Sequence, residues 1–380
     1  MFKKSLAAVA VLGAFAGSAL AADVQLYGLV DLGLNWTQVD KGTTTTDSFG
    51  MGSGQNSASR FGVKGEEDLG NGVKVGFSLE NGFNSDDGQL ATEGRLFDRE
   101  ALLYVGGDFG ELGMGCQGEL ASGNGRYGLF GGKVSPFSTG WSNIAGHKYV
   151  MGAGFGRMDN TITYKTPTFA GFNLLAQYSF DKNVKKDDDA KTTGVQHGRE
   201  GSAETDRQYA LGATFAAGDL YLAGIVTQTN KQSVDYEGKS LGEQDDPLTV
   251  SLGGNYNFGV AKLYVATQYF KDTGLAVEMI QTGKTGTFDG FGLSVGADVP
   301  AFGGTAKVLV GYMDAEDQTT TANDVQRYTF SVGYEYPLSK RTFVYGGAGY
   351  YMDSYDKGFD AGYDDKASVA AVNAGLVHKF

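Results

Sequence analysis

Cysteine, proline and positive charge are all scarce in this chain, and so are long apolar runs. There is one cysteine, Cys116, in 380 residues. A single cysteine in an exported chain leaves no disulfide framework within the subunit, and without a partner thiol Cys116 reads as a neutral strand residue. The formal charge is −13, and loss of Lys3 and Lys4 makes it two units more negative. Nucleic-acid binders carry a basic patch or stripe, so that partner class is excluded. Beyond residue 21 no apolar run reaches 18 residues, so no transmembrane helix is expected. The three histidines, His147, His197 and His378, are far apart in the chain. They form no nucleophile–base–acid arrangement, so a hydrolase is not expected. The acidic stretches DKNVKKDDDAK and YDKGFDAGYDD do not fit the spacing of a calcium-binding loop. They read as solvated outer loops, with divalent cations bridging to a lipid headgroup as the alternative. Runs like GxGxxG are unavoidable with 60 glycines and have no strand–helix context. No cofactor, metal or catalytic residue is expected.

The first 21 residues, MFKKSLAAVAVLGAFAGSALA, have a positive start, an apolar run from Leu6 to Leu20 and a small-x-small end at Ala19–Ala21. The run is short for a membrane span, and the pattern is that of a cleaved signal peptide rather than an anchor helix. The expected division is therefore 1–21 signal peptide and 22–380 a single β-domain.

Sixty glycines against five prolines is unusual for a soluble protein. The glycines are interleaved with Tyr, Phe, Val and Leu, which disordered Gly-rich sequence lacks. Glycine inside extended segments fits close packing in a curved sheet. The extended pattern is explicit in RYTFSVGYEY, residues 327–336. Tyr328, Phe330, Val332, Tyr334 and Tyr336 alternate with Arg327, Thr329, Ser331, Gly333 and Glu335. Period-two alternation puts the two sets on opposite faces of a strand. It recurs in PLTVSLGGNYNF, FGLSVGADV, RQYALGATF, FNLLAQYSF and GVKVGFSLE.

The connections alternate between two kinds. Seven are short, such as AAGD and PLSK, and eight are long and polar, counting 118–153. That requires 16 strands with short turns at one end and long loops at the other. An even count lets both chain ends lie on the short-turn side. A soluble sandwich would bury its apolar faces against each other and would not sort its loops, and its inward charges would be costly in a dry core. A barrel in lipid needs an apolar outside and a wet inside. Aromatic pairs near strand ends, Phe169 with Phe172, Tyr269 with Phe270, Tyr334 with Tyr336 and Tyr350 with Tyr351, suit interfacial girdles.

The motifs DVQLYGLVDLGLNW, SASRFGVKGEEDLGNGVKVGFSLENGFNSDDG, GRLFDREALLYVGGDFGELGMG and RMDNTITYKTPTFAGFNLLAQYSF, with a terminal Phe380, carry a resemblance. The chain closely resembles the trimeric general diffusion porins of Gram-negative outer membranes, in the betaproteobacterial and neisserial branch. The likeness is densest over 23–180. It implies an all-β fold, a 16-stranded antiparallel transmembrane β-barrel with the third outer loop folded into the lumen. It also implies a homotrimer in the outer membrane, passing small hydrophilic solutes and ions by passive diffusion. The outer-membrane lipid and lipopolysaccharide would surround it, and the barrel-assembly machinery would read Phe380.

Carried over by motif, Arg60, Arg99 and Arg157 match the inward arginines of the family's pore constriction. Parity places Phe61 and Val63 opposite Arg60, Leu102 and Tyr104 opposite Arg99, and Ile162 and Tyr164 opposite Arg157. Lys64, Lys74 and Asp31 are inward by the same alternation. The loop over 118–153 departs from the family's acidic loop. It has no acid after Glu119 and carries Arg126, Lys133, His147 and Lys148. The expected constriction set is Arg60, Lys64, Lys74, Arg99, Arg157, Asp31, Glu119, Arg126 and Lys133, with Glu80 near by and a weak to moderate preference for anions. Two other functions are open. A substrate-selective porin would need an inward aromatic track, for which only Tyr27 and Trp141 offer themselves. A barrel anchor or adhesin without channel activity would have fewer strands or an extra soluble domain.

Overall fold

In lipid every backbone amide and carbonyl needs a partner inside the protein, so a sheet that crosses must close on itself. The computed structural model shows that closure. It describes residues 24–182, 205–233, 245–280, 286–318, 324–355 and 365–380. The expected signal peptide, His197 and much of the two acidic stretches lie outside the described residues.

Sixteen antiparallel staves form one barrel. They are β1 Gln25–Asp40, β2 in two pieces (Thr45–Ser53 and Arg60–Gly70), β3 Val73–Gly82, β4 Glu100–Gly107, β5 Gly110–Gly118, β6 Arg157–Lys165, β7 Phe172–Ser179 and β8 Arg207–Ala217. The second half is β9 Leu220–Asn230, β10 Leu248–Asn257, β11 Lys262–Thr273, β12 Phe288–Ala301, β13 Gly304–Asp317, β14 Val325–Pro337, β15 Thr342–Tyr355 and β16 Lys366–Lys379. Each stave pairs with its neighbours in sequence. The last closes on the first, with Leu29 opposite Lys379 and Asp40 opposite Ser368. Phe380 finishes the seam, exchanging backbone hydrogen bonds of 3.0 and 3.1 Å with Gly28.

Alternation sorts the two faces as the sequence suggests. On β14, Tyr328, Phe330 and Val332 are 39–49% exposed, while Arg327, Thr329 and Ser331 are buried inside. Leu211, Leu252 and Leu293 are likewise exposed on the outer face. The short turns are tight: β2 and β3 are joined by Asn71 (φ 53) and Gly72 (φ 76), a pair suited to a two-residue hairpin.

The structure corrects three expectations. The stretch 37–56, read as a long loop, is mostly hairpin. β1 runs to Asp40 and pairs with Thr45–Ser53, because the Thr-rich run has β-branched side chains and its own alternation, with Phe49 and Met51 outward. On β4, Leu102 and Tyr104 face inward and Leu103 faces out. Arg99 lies ahead of the first ladder pair, Glu80 with Glu100, so parity cannot be counted from it. β6 has a register shift against β5 between Gly115 and Gln117, with Asn160 at φ 49, yet Tyr164 faces out as expected, with Thr161 and Thr163 buried inside. Finally, Phe270 and Tyr351 are buried inside while Tyr269 and Tyr350 face out. Adjacent residues point to opposite faces, so only one of each pair can join a girdle.

Phe330 sits at the middle of β14. Phe330→Arg is expected to cost about 2–4 kcal/mol of barrel stability, measured by urea-dependent folding into lipid vesicles. Thr329, on the inner face of the same strand, should tolerate Ser with little change.

Candidate pore constriction

The residues between β5 and β6 pack against the inner faces of β8 to β16. Phe130, Phe137, Ile144 and Val150 are essentially unexposed. They fit where the strands carry glycine: a Cβ at Gly333 would lie 2.8 Å from Phe137 and 2.9 Å from Trp141, and one at Gly349 would lie 2.9 Å from Ile144. Backbone groups are satisfied across the gap. Ser331 Oγ donates to Ala145 O at 2.9 Å, Gly152 N donates to Gln268 Oε1 at 2.8 Å, and Asn373 Nδ2 donates to Trp141 O at 3.2 Å. Trp141 is thus packed against Phe137 and Tyr345 and forms no aromatic track.

His147 is fully buried in this segment between the rings of Phe130 and Phe155. Its Nδ1 lies 2.7 Å from Ser138 O, an acceptor only, so Nδ1 carries the proton. Burial drives the imidazole down to about 4, against the opposing pull of that carbonyl.

On the other side, β1 to β4 leave a cavity of about 570 Å³. It is lined by Tyr27, Arg60, Lys64, Glu80, Arg99, Glu100, Tyr104 and Arg126, with Asn56 and Ser57 from the break in β2 and Ser138 to Gly140 opposite. Arg99 Nε pairs with Glu80 Oε1 at 2.6 Å, and Arg60 Nε is 4.0 Å from Glu80 Oε2. Tyr27 donates to the same carboxylate at 3.1 Å, and Lys64 Nζ is 5.2 Å from the Tyr27 ring. Arg126 makes a fork with Glu111, two bonds of 2.6 Å, and stacks 3.7 Å over Tyr104. Burial disfavours the Arg126 charge, but the Glu111 carboxylate outweighs it and holds the guanidinium above its ordinary range. Its amide donates to Glu100 at 2.8 Å, fixing the loop to the wall.

Arg60, Lys64, Arg99 and Arg126 are therefore brought together. Arg157 is set behind them, donating to Arg99 O at 2.9 Å and bordering a separate pocket with Lys182 and Lys231. Lys74 pairs with Glu66 at 2.8 Å at the short-turn mouth. Lys133 donates to Gly128 O at 2.9 Å near Tyr221, and burial lowers its ammonium. Glu119 is buried at the loop base, paired with Lys182 at 2.6 Å. Asp31 is wholly enclosed. It accepts 2.7 Å bonds from Asn56 N, Ser57 N and Tyr345 Oη, so it clamps the break in β2 rather than meeting solute. Glu100 and Tyr104, hidden by the miscounted parity of β4, line the cavity instead.

A family model described as Gram-negative porin matches residues 7–356. The chain belongs to the Gram-negative porins. An outer membrane porin protein of Bordetella pertussis is 34% identical over 408 residues, spanning 100% of both chains. Outer membrane porin protein 32 of Delftia acidovorans is 32% identical, covering 90% of this chain and 88% of that one. Among solved structures, the anion-selective porin from Comamonas acidovorans superposes with a TM-score of 0.66 at 25% identity, covering 94% of this chain and 100% of that one. This porin lies in the bacterial outer membrane and forms a channel for passive diffusion of small hydrophilic solutes and ions. Its family comprises channels.

The depressed His147 sets a pH window. A free imidazole binds a proton near about 6.5, whereas the packed one refuses it until about 4. Loop packing is thus intact above the upper value and weakens as pH falls toward the lower. Current fluctuations in single channels are expected to rise across that interval, and His147→Phe, which keeps the ring contacts without titrating, should abolish the rise.

Proposed function

We propose that this porin favours anions at a constriction formed by Arg60, Lys64 and Arg99 of the barrel wall and by Arg126 and Ser138 to Gly140 of the 119–156 segment. The lining of the cavity carries the reading: four basic side chains face two acids, Glu80 and Glu100. Fixed charge of one sign in a narrow passage with low-dielectric walls raises the local concentration of the opposite ion. The printed description of the Comamonas relative as anion-selective supports the same sign. The inward-packed segment narrows the tube, and Ser138 to Gly140 present neutral groups to the basic wall.

We further infer a homotrimer, supported by the trimer form of a fold relative and by the exposed apolar side chains of the early staves, Phe49 and Met51 among them. The terminal Phe380 is 43% exposed beside the seam and open to the assembly machinery, and lipopolysaccharide is the expected outer-leaflet neighbour.

Reversal potential across a salt gradient tests the ion preference. The wild type is expected to favour chloride over potassium. Glu80→Gln should strengthen that preference, while Arg60→Ala or Arg99→Ala should weaken it, each by about two-fold in permeability ratio. Clear cation preference in the wild type would refute the proposal.

A further inference from the structure

Arg327 is out of place in a water-filled tube. It lies on the inner face at the long-loop end of β14, yet its side chain is completely buried, as is that of Asp353. Its Nε and Nη2 donate to the two Asp353 carboxylate oxygens at 2.6 and 2.8 Å. Its remaining donors go to backbone carbonyls of two outer segments: Nη1 to Tyr149 O at 3.2 Å and Val277 O at 2.8 Å, and Nη2 to Glu278 O at 2.8 Å. Asp353 Oδ2 also accepts from Ile280 N at 3.0 Å. The two segments are tied to each other by Ala276 N donating to Met151 O at 3.0 Å.

Apolar side chains dry this pair. Val150, Phe270, Met279, Phe288 and Met313 pack on one side, and Tyr149, Tyr351 and Val369 on the other. That is the composition of a protein core, not of a pore wall. The carbonyls of Tyr149, Val277 and Glu278 belong to irregular segments with no strand ladder to satisfy them, and an arginine fork meets them all. A lysine has fewer donors and no planar fork.

We propose that Arg327, held by Asp353, is the positioning residue that pins residues 274–280 and the 119–156 segment into the outer half of the lumen over β11 to β16, and so confines the water path to the β1–β5 sector. The inference rests on the diffusion-channel reading. Arg327 touches no passing solute; it sets the cross-section that solutes meet. The main charged cavity, of about 570 Å³, lies along β1 to β4; the charged pocket outside that sector, bordered by Arg157, Lys182, Asp206 and Lys231, is smaller, about 260 Å³.

Planar-bilayer conductance and liposome swelling with sugars of graded size test it, on the full chain with four variants: Arg327→Met, Asp353→Asn, Arg327→Lys, and replacement of 275–280 by a Gly-Ser linker of equal length. The linker variant leaves every stave intact and decides the matter if Arg327→Met does not fold. Arg327→Met and the linker variant should each raise single-channel conductance about two-fold and admit larger sugars, with no further gain when combined. Asp353→Asn and Arg327→Lys should shift both readouts in the same direction by less. Folded variants with wild-type conductance and sugar cut-off would overturn the positioning role while leaving the channel reading standing. A wild type that carries no current would remove the channel reading itself, and this inference with it.

Discussion

Everything in this molecule depends on the backbone of sixteen strands having no water to bond with on its outer side. An amide left unpaired in hydrocarbon costs several kcal/mol, so the sheet has no tolerable edge. The seam between β1 and β16, continued by Phe380 against Gly28, is the answer to that constraint. Once the edge is gone, the alternation of each strand acquires a fixed meaning: one side chain in two faces lipid, and its neighbour faces inward.

Closure creates a tube, and the tube then has to be divided. Sixteen strands enclose more space than side chains of the wall can fill. On one side, inward positions carry glycine, and the loop between β5 and β6 presses Phe130, Phe137, Ile144 and Val150 against them. On the other side, inward positions of β2 to β4 carry the charged side chains Arg60, Lys64, Glu80 and Glu100, and an open cavity of about 570 Å³ remains beside them. Hydrated arginines and acids hold one sector open because stripping their water costs more than packing would return. Small inward residues let the other sector dry out. The same inner surface thus becomes core and channel, according to what each stave presents.

Much of this was legible in advance, and particular residues show where legibility stops. The faces of β14 follow from RYTFSVGYEY alone; motif singled out Arg60 and Arg99 and alternation singled out Lys64, and all three line one cavity. Parity failed at Arg99, which lies ahead of the β4 ladder, so Leu102 and Tyr104 were assigned to the wrong face. It also could not tell which inward group meets water. Asp31 and Arg327 both lie on inner strand faces, yet one is sealed by Asn56, Ser57 and Tyr345 and the other by two outer segments. A signal for the dry sector existed in the inward parity of Gly253, Gly311, Gly333, Gly347 and Gly349, positions where a wet wall has no need of glycine.

By itself the sequence determined that the chain is a lipid-facing barrel, how many strands it has and which face of each strand is apolar. Those properties depend on neighbours two residues apart and on the spacing of turns, both written locally. The tertiary structure alone decided which inward charges line the 570 Å³ cavity and which are buried in ion pairs, and against which staves the 119–156 segment packs. Those depend on where a loop nearly forty residues long, 119–156, comes to rest against strands distant in sequence, and burial at such a contact is a property of the assembled interior rather than of any residue's type.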